Sequence, residues 1–269
     1  MNYRLWCNQY HQGIKIFGAH FNQARIPLVA AGLTFITQLA LVPLLTLVLY
    51  ISTFSAQIDM FTDAFIDYLH QTIIPEGADL IFEQINVFRH QALNLKTVGF
   101  ITLFIISLLF IRTIDHTFNQ ILNIHHSRQL WKQLLIYWGF LLALPMIIGG
   151  GVLVREQLEN SLLIHDYPLL TKSLQNTIVL LFNTLFLWLF YRFVPASPVG
   201  SMPAFVSALV IVIIIRSIYH LFLKYMTLID GYSTIYGSSA IIFVFLLWLN
   251  LLWMSLLSGA VLIRILSDK

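Results

Sequence analysis

Apolar residues run along this chain in long unbroken stretches. They follow neither the alternation of a half-buried strand nor the one-sided stripe of a soluble helix. Six stretches approach or exceed the roughly 20 residues that cross a hydrocarbon core: Leu28 to Ser52, Val98 to Ile114, Leu134 to Val154, Thr177 to Phe193, Met202 to Leu223 and Ser238 to Leu266. The pattern predicts an all-α, polytopic membrane protein with six transmembrane helices. Residues 28–269 then form one membrane domain, and residues 1–27 precede it as an interfacial helix that mixes Leu5, Trp6, Ile16 and Phe17 with Arg4, His11, Lys15 and His20. Residues 53–97 have a periodicity of their own. Asp59, Asp63 and Asp67 recur every four residues between Ile58, Phe61, Phe65 and Leu69; Pro75 interrupts, and Leu80, Ile81, Ile85 and Phe88 resume. This predicts an amphipathic helical hairpin on the outer face.

Composition agrees: 58% of the 269 residues are hydrophobic and 10% are charged, against about 25% charged in an ordinary soluble domain. Charge then orients the chain. With the N-terminus inside, Arg4, Lys15, Arg25, Arg112, Arg128, Lys132, Arg192, Arg264 and Lys269 are cytoplasmic, nine in all, against five outside, at Arg89, Lys96, Arg155, Lys172 and Lys224. This bias predicts both termini in the cytoplasm of a bacterial inner membrane. Ten of the twelve acids fall outside, all but Asp115 and Asp268. The net charge of +3 is scattered over helix ends, which speaks against a nucleic-acid surface. Cys7 stands alone and implies no disulfide, and the first 27 residues lack the apolar core and cleavage site of a signal peptide.

Several strings follow one another along the chain. AAGLTFITQLALVPLL holds Pro43; FIRTIDHTFNQIL spaces Asp115 four residues before Asn119; Tyr137 and Trp138 precede Pro145; YRFVP runs from Tyr191 through Arg192 to Pro195. Last comes YSTIYG with Tyr232, Tyr236 and Gly237, then Trp248 and the pair Gly259 and Ala260. Together these resemble the YihY/BrkB family of inner-membrane proteins, once described under the name ribonuclease BN. Two departures stand out. The family usually closes its last span with Gly-Ala-Glu, where this chain has Val261, and it commonly carries an acid near the position of Arg216. The resemblance implies a multi-pass membrane protein for which transport has been proposed, including movement of phospholipid.

A metal-dependent nuclease needs several carboxylates or histidines converging on the cytoplasmic side. Asp115 and Asp268 are the only acids there, and His116, His125 and His126 lack a ligand spacing. Walker and Rossmann glycine patterns are absent, and Gly149 to Gly151 lie inside an apolar run, as do Ser255 and Gly259, a small-xxx-small pair suited to close helix packing. No catalytic residue, metal or cofactor is expected. Polar groups within the spans carry more information. Arg216, His220 and Lys224, four apart on the fifth span, line one helix face and descend about 12 Å from the outer surface. One reading is a groove for an anionic lipid head group; the other is snorkelling, or pairing with an acid such as Asp230. Gln38, Asn183 and Asn250 are read as interior polar residues that join helices, and Arg112 with Asp115 as a local ion pair at a helix end. The leading expectation is therefore a non-enzymatic transporter or lipid-handling protein for an amphipathic, anionic substrate such as phospholipid. The alternative is a scaffold that binds an envelope partner through its acidic hairpin. Compatible partners are membrane lipids, a second copy of the chain and an envelope protein; nucleic acid is not among them.

Overall fold

The computed structural model describes residues 15–52, 97–125, 129, 131–140, 143, 168–228 and 240–267. These residues are helical or in short connections, with no strand among them. In chain order the helices are α1 (15–23), α2 (Ile26–Ser52), α3 (Thr97–Ile121), α4 (131–140), α5 (Pro168–Phe193), α6 (Ser201–Leu228) and α7 (Ala240–Ser267). An all-helical chain is what lipid demands, since hydrocarbon offers no partner for a main-chain N–H or C=O.

Of the six expected spans, the first two fall within α2 and α3 and the last three coincide with α5, α6 and α7. The third begins in α4 and runs on beyond the described residues, and the hairpin expected over residues 53–97 lies outside them except for its last residue. Three described segments are long and apolar enough to cross a membrane: Asn176–Phe193, Ser201–Tyr225 and Phe243–Ser267. Large apolar side chains stand outward along the helices, among them Trp131 at 78%, Leu135 at 75% and Leu28 at 67% exposure. In water such a surface would drive association; in a bilayer it is the surface that meets lipid.

The chain divides into two compact units. The first comprises Met1–Thr37, Thr113–Arg128 and Leu187–Lys269. Its core holds Ile26, Leu33, Phe118, Tyr191, Ile211, Leu257, Val261 and Ile263, all buried. Helices α6 and α7 pack antiparallel here: Ile211 lies against Gly259 at one end, and Tyr219 and Phe222 meet Trp248 at the other, with ring centroids 5.8 and 5.2 Å apart. Small buried residues on both helices, Ala204, Ser207 and Ala208 on α6 and Ser255, Gly259 and Ala260 on α7, let the two backbones approach. Helix α2 is tied to α7 by side chains. Trp253 Nε1 donates to Thr37 Oγ1 at 2.9 Å, and Asn250 Nδ2 to Thr34 Oγ1 at 3.5 Å. At the entry to α2, Arg25 adopts φ 48°, which turns the chain out of α1, and Pro27 follows in a first turn where its missing N–H costs nothing.

The second unit comprises Gln38–Arg112 and Gln129–Phe186. Ala40, Ser107, Ile111, Gln133, Tyr137 and Thr184 are buried in it, and Phe140 meets Phe186 edge to face at 5.7 Å.

Candidate functional site

Five motif residues of the first unit, Asn119, Tyr191, Arg192, Pro195 and Gly259, lie around the end of α3. An α-helix leaves its last four carbonyls without helical partners, a serious cost near hydrocarbon. Here every one of them is capped. Leu122 N donates to Phe118 O, Ile124 N to Asn119 O at 2.8 Å, Asn123 N to Gln120 O, and Arg264 Nη1 of α7 to Ile121 O at 3.2 Å. The two bonds from Ile124 and Asn123 form a Schellman motif, and Asn123 occupies its left-handed position with φ 57°.

One turn earlier, Asp115 and Asn119 lie on the same helix face, both buried. Asn119 Nδ2 donates to Asp115 Oδ2 at 2.8 Å, and Asn119 Oδ1 accepts from the main-chain N–H of Ala196 at 2.8 Å. The amide therefore reads a carboxylate with one end and the 194–200 connection with the other. That connection is anchored further: Val194 and Pro195 are buried, Arg192 Nη1 reaches Val199 O at 3.5 Å, and Trp188 Nε1 donates to Ser201 O at 3.1 Å. Tyr191, fully buried, packs beside Phe118 and donates its hydroxyl to Leu256 O of α7 at 2.8 Å. Gly259 makes room for that ring. A Cβ there would collide with Tyr191 Oη and lie 2.9 Å from Ile211 Cγ1. The ends of α3 and α5, the connection and α7 are thus held by directional bonds, most of them buried or half-buried. The arrangement is a lock on geometry.

The sequence places Asp115 near Arg112; in the structure the carboxylate is buried and accepts from Asn119, and the Arg112 side chain is exposed. Asn183 was expected inside, but it is exposed, and the interior polar group of α5 is Thr184, which back-bonds to Leu180 O at 2.8 Å. One residue is about 100° of rotation, enough to exchange the two faces. Asn250 does join helices, through Thr34. Gln38 is half-buried, and Pro43 falls within α2. Pro145, Tyr232, Tyr236 and Gly237 lie outside the described residues.

The second candidate feature is the α6 face. Arg216 is half-buried, while His220 and Lys224 are exposed. Tyr219 stacks edge-on against His220 at 5.7 Å and against Trp248 of α7, so aromatic rings flank the ladder. Arg264, Trp188 and the Asp115 to Asn119 bond went unread in the sequence. The last had a signal, an acid and an amide four apart on a helix; the other two reach main-chain carbonyls of distant segments, which no spacing announces. Among the described residues, no group of three or more His, Cys, Asp or Glu side chains is placed to hold a metal ion.

Residues 17–269 match the family described as Virulence factor BrkB. A UPF0761 membrane protein of Neisseria meningitidis serogroup B is 41% identical over 248 residues, covering 92% of this chain and 61% of that protein. Others from Bordetella petrii and Actinobacillus pleuropneumoniae are 30% and 29% identical, covering 95% and 91% of this chain and 57% and 90% of those proteins. The chain thus spans about three fifths of the length of the first of these relatives. Their names state a membrane location and no reaction. No solved structure matches the chain. With Asn119, Tyr191, Pro195 and Gly259 gathered around one end of α3, and with the family matched over residues 17–269, this chain belongs to the BrkB family of membrane proteins.

Proposed function

We propose that this protein is a non-enzymatic lipid-handling or transport protein of the bacterial inner membrane, which engages an anionic amphipathic substrate along α6. The carrying observation is the face of that helix. Within the apolar segment Ser201–Tyr225, Arg216, His220 and Lys224 lie in one row, and the row is half-buried at Arg216 and exposed at the other two. Charge inside a span is costly and is retained where it meets protein, water or an anionic group. Exposed Ile213, Leu221 and Tyr225 flank the row, so a head group on the cations leaves acyl chains against apolar side chains. The lock around Asn119, Tyr191 and Gly259 supports this reading by holding α7, on which α6 packs. The bacterial relatives named as membrane proteins agree with the location.

The test separates attraction from folding. Arg216→Gln keeps length and hydrogen bonding, whereas Arg216→Glu adds repulsion of an anion. With both variants shown to insert and accumulate, binding of phosphatidylglycerol relative to phosphatidylcholine is measured on purified protein. The preference for the anionic lipid is expected to fall from wild type to Gln to Glu. Equal preference in all three rejects the head-group role.

A further inference from the structure

A cleft of about 400 Å³ opens in the second unit between α3 and α4. Ile105, Leu109, Leu134 and the indole of Trp131 line it, with Arg112 and Gln133 as its polar members. Its volume lies within the roughly 300–1,000 Å³ of small-molecule pockets. The wall is not closed by protein: Ile105, Leu109 and Trp131 are exposed by 49%, 59% and 78%. In a membrane protein such side chains face acyl chains. The polar end is placed with equal definition. Arg112 is exposed in the half of α3 that leads to the end the Lys and Arg count assigns to the cytoplasm, Lys132 is exposed next to Trp131 in the chain, and Trp is the side chain that favours the head-group level. The cleft is therefore apolar along its length and cationic at one rim, the two-part chemistry of an anionic phospholipid.

We infer that this cleft is a binding site for an anionic phospholipid of the cytoplasmic leaflet, with one acyl chain between α3 and α4 and the phosphate at Arg112. The site uses none of the α6 residues and stands whether or not that ladder binds lipid.

Trp131 reports directly on the occupant. The full chain is reconstituted in vesicles containing phosphatidylglycerol or phosphatidylcholine brominated at the same acyl position, and tryptophan quenching is recorded. Six tryptophans contribute, so the Trp131 signal is taken as the difference between wild type and Trp131→Phe. Brominated phosphatidylglycerol is expected to quench this component more strongly, with the preference falling as salt rises. Arg112→Gln is expected to weaken the relative association roughly five-fold, and Arg112→Lys to keep most of it. Equal quenching by the two lipids overturns the inference, as does an unchanged preference in Arg112→Gln. Quenching by neither lipid, as when a second copy covers Trp131, also overturns it. If Arg112→Gln fails to accumulate folded, the wild-type salt series decides: a preference indifferent to salt rules out a cationic head-group site. An α6 ladder that fails its own test would leave the Trp131 signal intact.

Discussion

At Gly259 the packing of α5 on α7 depends on a missing methyl group. The Tyr191 ring fills the space where a Cβ would stand, and it cannot swing away because it is fully buried and hydrogen-bonded to Leu256 O. Gly259→Ala is expected to destabilise the protein by about 1–3 kcal/mol, the usual range for overpacking a core. Tyr191→Phe removes the atom nearest the clash and loses a single hydrogen bond, at about 1 kcal/mol. The double variant should then lose less stability than the sum of the singles, because the two residues share one space. Thermal unfolding of the four proteins in one detergent measures this, and strict additivity contradicts the proposed contact. At this scale the sequence was partly legible. Ser255 and Gly259, four apart, announced a close helix approach. The sequence did not say that the partner is an aromatic side chain of α5, since burial is a property of the assembled fold. Asp115 shows the opposite outcome: its spacing suggests Arg112 as a neighbour, and the fold adds a buried hydrogen bond from Asn119 that the sequence reading did not name.

Helices in this chain end by named devices. Asn123 in the left-handed region closes α3, and Arg264 reaches from α7 to cap the carbonyl of Ile121. A side chain with a Cβ pays for that backbone conformation, Asn less than others and Gly not at all. Asn123→Gly is therefore expected to be neutral or slightly stabilising, whereas Asn123→Ala should cost about 1 kcal/mol and Asn123→Val more. Thermal midpoints ranked Gly, Asn, Ala, Val support the Schellman ending; a Val variant as stable as the parent argues against it. The helices themselves were readable from hydropathy, because a span must satisfy all its main-chain groups internally and be apolar on nearly every side. Their ends were less so. Helix α3 continues through Ile121, beyond the expected Ile114, since the segment Asp115 to Gln120 is helical and its buried polar side chains, Asp115, Thr117 and Asn119, are bonded to protein.

For the molecule as a whole, the distribution of Lys and Arg predicts the N-terminus and the connection near Ser127 in the cytoplasm. With Cys7 replaced by serine, single cysteines at Asp63 and Asp166 should react with an impermeant thiol reagent in intact cells, and one at Ser127 only after permeabilisation. Labelling at Ser127 in intact cells reverses the orientation and moves both lipid readings to the opposite leaflets. Membrane residence, helical class and family were all determined by the sequence alone, because apolar run length and ordered motif strings are local properties that survive without coordinates. The meeting of those strings was not. Asn119, Tyr191 and Gly259 are up to 140 residues apart, and only the packed helices bring them to one cluster. The same holds for the α3 and α4 cleft. Its walls are apolar residues indistinguishable in sequence from any other lipid-facing stripe, and a cavity exists only where two helices diverge.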